Sequence, residues 1–509
     1  MSDRGRTAPP VWFLLALLPF AVMAIVHWSW SPAAWSGDYA QYLSHARALV
    51  EGRAYGDIGY IYNPAAWTIG PPAYPPGLPL TLAPLVAAVG VDSIVFRLFS
   101  LGCVVLFGWF VYQRLSRDVG PYVAAAGAGF TALAIELQLG TLVPLSDLPF
   151  AAVLWGLVLV VDHDERWSWR RVAGVTALGF ALLSYRVAGV AIVPALGLYG
   201  LLRWRRDSGR SLVPVVAWGS AGLLAVVAGY LRNPYADGVD AVNTTLGTQL
   251  GIIRSNYRLM LFEAELYPFG LDRWDDIYHL VASLLVVVGG LLLMWRLRRS
   301  FLLLLVLSYG AMLALAPVAD LRYGWPMFPL VGASLALCLQ LMLTRQFRSE
   351  RRSGRIVLAV CAAIAVGAVN NGLAAGPPFS ITGTRDADEV YAWLSARQRE
   401  APMRLMFYNP RVVTLETRVP AMGLTSRNTP GQLVAIDENR ISHLMTLPDS
   451  LSECLQRQAN QLPAQFPDRF TLAYSNPTFR VYRVVPAAEP YKGTYERIRW
   501  RRGQRWCPP

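Results

Sequence analysis

Lysine is all but missing from this 509-residue chain: Lys492 stands alone, and the other 45 of its 46 basic Lys and Arg residues are arginine. That bias points to a GC-rich, bacterial genome more than to a functional choice. Charge of either sign is scarce, at 16% of residues against the roughly 25% of a soluble globular domain, which excludes an ordinary soluble protein. Of five cysteines, Cys103, Cys338 and Cys361 lie in apolar runs and act there as small hydrophobes. Cys454 and Cys507 lie in the polar carboxyl-terminal region and could form a disulfide in an oxidising compartment. The five histidines form no metal-binding spacing. No His-Glu-x-x-His, paired CxxC, Walker loop or GxSxG occurs, so metalloprotease, zinc-site, ATPase and serine-hydrolase chemistry lack support.

What the chain has in abundance is apolar residues, 54% of the total with a mean hydropathy of +0.36, gathered into long runs. At about 20 residues per crossing, spans are expected at about 11–30, 94–113, 121–141, 147–161, 172–185, 187–202, 211–231, 279–295, 300–317, 323–343 and 355–374. Arginine clusters fall in every second loop: Arg114/Arg117, Arg166/Arg170/Arg171, Arg203/Arg205/Arg206/Arg210, Arg296/Arg298/Arg299 and Arg345/Arg348/Arg351/Arg352/Arg355, with Arg4 and Arg6 ahead of the first span. The positive-inside rule makes those loops cytoplasmic. The net charge of +13 is thereby a topology signal that also meets anionic headgroups, and nucleic-acid binding is excluded. The first run lacks an A-x-A cleavage site and ends in His27-Trp-Ser-Trp30, so it reads as an uncleaved span with an aromatic anchor. The apolar stretch 77–91 is too short to cross and would invert every later cluster. It reads as an interfacial or re-entrant helix.

The expected architecture is an all-α polytopic membrane domain of about 11 helices over 1–375, followed by a small extracytoplasmic α/β domain over 376–509. The first outer loop, 31–92, carries a helical patch, DYAQYLSHARALVEG. A second, 232–278, mixes surface-seeking aromatics with charges, and reads either as a mobile cover over a donor site, with Gly238 and Gly270 as hinges, or as a static interfacial helix. In the tail, Asp386 to Glu400 has helical spacing, while Arg404–Tyr408 and Phe479–Val484 read as strands.

The ionisable residues that look out of place in a bilayer gather at the outer junctions. Asp38 follows the first span in Ser36-Gly37-Asp38-Tyr39, where a carboxylate could be a partly desolvated general base or an ordinary helix cap. Asp147, in Val143-Pro-Leu-Ser-Asp-Leu-Pro149, has the same two readings. Arg186 sits between two apolar runs, where an unpaired arginine costs about 2.5 to 3.5 kcal/mol at a span's centre. It should meet an anion or a carboxylate, or else snorkel to the headgroups. Arg322, in Ala319-Asp-Leu-Arg-Tyr-Gly-Trp-Pro326, offers a planar fork suited to phosphate, unless it pairs with Asp320. Arg97 and Glu136 read as structural pairing or snorkelling. One face of the membrane therefore carries carboxylates and arginines beside lipid, a set that suits a lipid-phosphate substrate.

Six stretches in order, GDYAQYLSHARALVEG, YPPGLPLTLAPLVAAVG, FRLFSLG, PLSDLPF, SYRVAGVAIVPAL and LRYGWPMFPL, resemble the GT-C class of membrane glycosyltransferases over about residues 10–345. The branch is that of protein O-mannosyltransferases, the lipid A aminoarabinose transferase and the RgtA/B/C/D-like bacterial enzymes. The resemblance implies a polyprenyl-phosphate-linked sugar as donor, a lipid, glycan or protein acceptor, and transfer on the extracytoplasmic face of a bacterial inner membrane. It makes Asp38 and Asp147 the catalytic aspartates. By residue type Arg186 and Arg322, with Tyr323, are the expected donor-phosphate residues, and Tyr39 and Tyr74 the expected substrate contacts. Many relatives have an Asp-Glu pair where this chain has Asp38-Tyr39, a departure that distances it from the eukaryotic enzymes. A single displacement with Asp38 as base would invert the anomeric centre. No dedicated metal cage is visible, although the two aspartates could share a divalent cation with the donor phosphate. The competing readings are a transporter or lipid flippase, which should place charges mid-span or show repeated halves, and another lipid-phosphate enzyme such as a polymer ligase.

Overall fold

The computed structural model describes residues 9–29, 37–63, 74–139, 143–162, 168–204, 275–315, 321–375, 382–424, 429–448 and 454–488. The chain opens with α1 (Pro10–Ser29), α2 (Gly37–Val50), strand β1 (Tyr60–Ile61) and α3 (Gly77–Val89). A bundle follows: α4 (Ser93–Val119), α5 (Pro121–Leu139), α6 (Asp147–Val161), α7 (Trp169–Tyr185), a 3-10 turn (Val187–Ala191), α8 (Ile192–Trp204), α9 (Asp275–Leu297), α10 (Phe301–Leu315), a second 3-10 turn (Leu321–Met327), α11 (Phe328–Phe347) and α12 (Glu350–Ala375). Helices thus occupy the intervals where spans are expected, apart from 211–231, which lies outside the described residues. So do the 232–274 part of the second outer loop, Asp320 and Cys507.

Three of these helical stretches, Pro10–Trp28, Ser93–Val119 and Arg322–Phe347, are long and apolar enough to cross a membrane, and shorter apolar helices pack around them. The chain is a membrane protein. On α1 the sides differ only in what they touch: Phe13, Leu17 and Phe20 are buried in the bundle while Leu14, Leu18 and Ile25 are exposed. Apolar residues on both sides of a helix are what lipid demands. The helices approach closely where residues are small, the common membrane packing mode. At Gly289 of α9 a Cβ would lie 1.9 Å from the Ser334 carbonyl oxygen of α11, so any side chain there would push the two helices apart. Start signals are local. Asp92 caps α4 by accepting from the Ile94 and Val95 amides at 2.7 and 3.2 Å.

The short apolar stretch forms α3, which packs on α2 and α7, with its Thr81 hydroxyl 2.7 Å from that of Tyr185. The carboxyl-terminal residues form α13 (Arg385–Glu400), β2 (Leu405–Met406), α14 (Pro410–Thr417), β3 (Ala421–Met422), α15 (Thr429–Glu438), β4 (His443–Thr446), α16 (Cys454–Gln465), a 3-10 turn (Pro467–Arg469), β5 (Phe470–Ser475) and β6 (Arg480–Val484). The six strands make one sheet in the order β1-β3-β2-β4-β6-β5. Its first four strands are parallel and β4, β6 and β5 are antiparallel, with Leu405 opposite His443 and Leu444 opposite Tyr482. The edge strand β1 comes from the first loop: Tyr60 pairs with Ala421 and Ile61 with Met422. The loop between the first two long helices and the carboxyl-terminal elements are therefore one structural unit.

Candidate functional site

Asp38 lies in the first turn of α2, and its carboxylate is engaged by side chains, not by the helix's own amides. Oδ1 accepts from the Tyr74 hydroxyl at 2.5 Å and from Nη1 of Arg411 at 2.9 Å, and Oδ2 accepts from Nη1 of Arg322 at 3.2 Å. The same Arg411 nitrogen is 2.9 Å from the Tyr74 hydroxyl, and the guanidinium lies over the Tyr60 and Tyr74 rings, 5.5 and 5.3 Å from their centroids. Burial alone would raise the Asp38 pKa. The guanidinium groups of Arg322 and Arg411 and the Tyr74 hydrogen bond outweigh it, so the carboxyl is held below its ordinary 3.8 and is ionised at neutral pH. Burial pushes the Tyr74 phenol up, which keeps it a proton donor to that carboxylate.

A second cluster is built where α6 begins and α7 ends. Asp147 sits in the first turn of α6, where the helix N-terminus favours negative charge. Ser146 ahead of it makes no side-chain cap. Arg186 closes α7 in extended backbone, φ −152° and ψ 144°, which turns its side chain out of the helical path. Its Nη1 forms an ion pair with Asp147 and lies 3.4 Å from Ser146 Oγ, and its guanidinium stacks on Tyr323 at 4.7 Å. Tyr323 is held in turn by the Tyr309 hydroxyl, which donates to its carbonyl oxygen at 2.9 Å.

The two clusters are contiguous. Tyr42, one turn along α2 from Asp38, has its hydroxyl 2.8 Å from Ser146 Oγ and packs edge-on to Tyr74 at 5.1 Å. The 3-10 turn before α11 serves both, Arg322 reaching Asp38 while Tyr323 lies under Arg186. Six residues singled out in the sequence, Asp38, Tyr74, Asp147, Arg186, Arg322 and Tyr323, are thereby brought together. Tyr39 is placed elsewhere. One residue on from Asp38 is about 100° around a helix, and Tyr39 is buried edge-on against Phe96 of α4. Arg97 of α4 is buried, donating to the Trp28 carbonyl at 3.3 Å and lying over the Trp28 ring, a structural contact. Among the described residues no three His, Cys, Asp or Glu side chains gather as a metal site, and both aspartates face guanidinium groups.

Three residues of this assembly are not singled out by the sequence. Tyr42 and Ser146 look like ordinary helix residues. Arg411 stands in Pro410-Arg-Val-Val413, and an arginine next to consecutive valines is a weak sign of a buried charge; it becomes legible only when α14 is seen against α2.

No protein-family model matches the chain, and no curated protein sequence does. Solved structures do. The apo structure of ArnT from Cupriavidus metallidurans superimposes with a TM-score of 0.55 at 14% identity, over 93% of this chain and 98% of that one. The structure of the same protein bound to undecaprenyl phosphate gives 0.48 at 14% identity over 96% and 100%. At that identity the likeness is one of fold. The chain is built on the fold of the aminoarabinose transferase ArnT, a GT-C glycosyltransferase.

Proposed function

We propose that this protein is an inverting glycosyltransferase that moves a sugar from a polyprenyl-phosphate donor to an acceptor hydroxyl on the extracytoplasmic face of a bacterial inner membrane. The observation that carries this reading is the pair of adjoining carboxylate–arginine clusters, Asp38 with Arg322 and Asp147 with Arg186, at one end of a lipid-exposed bundle. A membrane-embedded phosphodiester needs cations where its charge grows. A guanidinium provides two aligned donors for it in a site of low dielectric.

In this mechanism Arg322 and Arg186 take the donor phosphate, with Tyr323 backing Arg186 and Asp147 keeping it oriented and ionised. As Arg322 turns to the phosphate, the Asp38 carboxylate loses one partner and becomes a better base. The acceptor hydroxyl loses its proton to Asp38 while its oxygen bonds to the anomeric carbon. The bond from that carbon to the phosphate oxygen breaks on the opposite face, and polyprenyl phosphate leaves with the electron pair. Departure of a phosphate requires no acid, so one base is enough. Tyr74 touches the base and lies where substrate would meet it. Tyr39, in the core, supports the helix that carries Asp38.

The test is transfer of labelled sugar from defined undecaprenyl-phosphate sugars, by purified protein in lipid nanodiscs, to envelope material from a deletion strain. Mass spectrometry of the product names acceptor and anomer. No consumption of any such donor, with a lipid moved across the bilayer instead, would replace this reading with a flippase.

A further inference from the structure

α14 lies along α2 and is tied to it by polar contacts from end to end. At the start Arg411 meets Asp38, at 2.9 Å. Further on Nη1 of Arg47 donates to the Leu415 carbonyl at 2.7 Å, and at the far end Arg418 pairs with Glu51 at 2.7 Å. The backbone beside this contact is equally committed. Gly59, at φ +77°, accepts from the Ala421 amide at 3.2 Å next to the β1–β3 pairing, and a Cβ on it would come within 2.7 Å of the Thr414 methyl. α14 is thus registered against α2 to within a side chain's width, and Arg411 is fixed where it is. Its side chain is only 6% exposed, against 30% for Arg322 on the other carboxylate oxygen. Burying a guanidinium so far is costly unless its partner is permanent. The two arginines on Asp38 therefore differ in kind: Arg322 is partly exposed to solvent, whereas Arg411 is built in.

We propose that Arg411 is a positioning residue of the glycosyl-transfer site, holding Asp38 and Tyr74 in place from the carboxyl-terminal elements, so that those elements complete the active centre. The inference rests on the function proposed above. One nitrogen, Nη1, makes both contacts, and a lysine ammonium can supply that charge and those donors in part. The groups facing Asp38 are Arg322 from the turn before α11, Arg411 from α14 and Tyr74 from ahead of α3, with Tyr42 one turn along its own helix. Removing Arg411 takes away one of the cations that keep Asp38 ionised.

The experiment compares wild type, Arg411→Gln, Arg411→Lys, Asp38→Asn and the Asp38→Asn/Arg411→Gln double variant in nanodiscs, with an undecaprenyl-phosphate sugar as donor. Arg411→Gln should lower kcat/KM by about tenfold to a hundredfold, the cost of misplacing a reacting group, and move the acidic limb of the kcat/KM profile to higher pH. Arg411→Lys should recover most of the rate and return the limb toward its original position. Because Arg411 acts through Asp38, the double variant should be no slower than Asp38→Asn alone. An Arg411→Gln enzyme with unchanged rate and limb overturns the proposal. So does a loss shared equally by the Gln and Lys variants with no movement of the limb, the signature of a structural role only. If Arg411→Gln does not fold, Arg411→Lys decides alone: a fall of more than tenfold in a folded protein with the limb unmoved overturns it. Wild type that transfers no sugar would instead strike the underlying function.

Discussion

The two ends of α6 carry the same kinds of residue put to opposite uses. At its start Asp147 meets Arg186, beside the Asp38 cluster; just past its end, about 22 Å away at 1.5 Å per residue, Asp162 meets Arg114. The Arg114–Asp162 pair is closed. Nε and Nη2 of Arg114 donate to Asp162 Oδ2 at 2.8 and 2.7 Å, its Nη1 pairs with Asp118, and Asp162 Oδ1 accepts from the Phe301 amide at 2.7 Å. Asp162 thereby caps α10 from another helix and bolts α4, α6 and α10 together. The Arg114 and Asp162 side chains are 4% and 5% exposed. At the other end Asp147 and Arg186 are 4% and 16% exposed, and it is the adjoining Asp38 and Arg322, at 32% and 30%, that open this group to solvent. Charge that is saturated by backbone amides and sealed from solvent holds a fold. Charge on partly exposed side chains, as at Asp38 and Arg322, is within reach of a ligand.

The largest effect is expected at Asp162. Asp162→Asn should cost about 3 kcal/mol of stability, since it leaves a buried guanidinium with one carboxylate fewer and strips a helix cap. Unfolding in mixed micelles measures this, and the surviving folded fraction should keep normal kcat. A variant that stays stable but loses turnover would reverse the assignment of the two ends. Asp38→Asn should do the opposite, leaving the unfolding midpoint near wild type while turnover of a polyprenyl-phosphate sugar falls by about a hundredfold or more. Normal turnover in the purified variant removes Asp38 as the base.

Arg186→Ala should act chiefly on donor binding, raising KM about tenfold for loss of a charge-assisted hydrogen bond. A titration with polyprenyl phosphate alone should show the same loss. The pH effect is smaller. Because Asp38 is held below 3.8, kcat/KM should not decline between neutrality and the ordinary aspartate range, and should fall only as pH drops through that lowered value. The contribution of Asp38's own ion pairs to stability follows the same sign, present above its ordinary value and lost as pH falls through the depressed one. An acidic limb near pH 6 would assign the base to another group. Last, a cysteine at exposed Arg385 should react with an impermeant thiol reagent from outside intact cells, and one at Arg352 should not; equal reactivity would sink the assignment of faces.

The helices of the bundle are legible in the sequence because lipid requires long apolar runs, and Asp147 and Arg186 are legible because neither is tolerable there unpaired. Loops are read less well, and for a reason. Strand β1 is two residues long, and nothing local makes Tyr60-Ile61 a strand except a partner at 421–422. Arg411 is hidden for the same cause, since its helix resembles a surface helix until α2 is laid against it. Arg114 is misleading in the other direction: the positive-inside rule counts it as a topology signal, but a charge rule is blind to burial. Tyr39 shows the limit of reading neighbours together, since residues adjacent in a helix look in different directions.

The pairing of Tyr60 with Ala421 has a consequence in time. About 360 residues separate the two strands, and at the roughly 5 to 20 residues per second of ribosomal synthesis the first loop waits some 20 to 70 seconds for its neighbour. Until then β1 has no strand beside it, and Asp38 lacks the arginine that arrives ten positions before Ala421. The nascent protein is thus threaded into the bilayer with the Asp38 charge cluster unfinished, and the cluster is completed only by residues made long after the bundle.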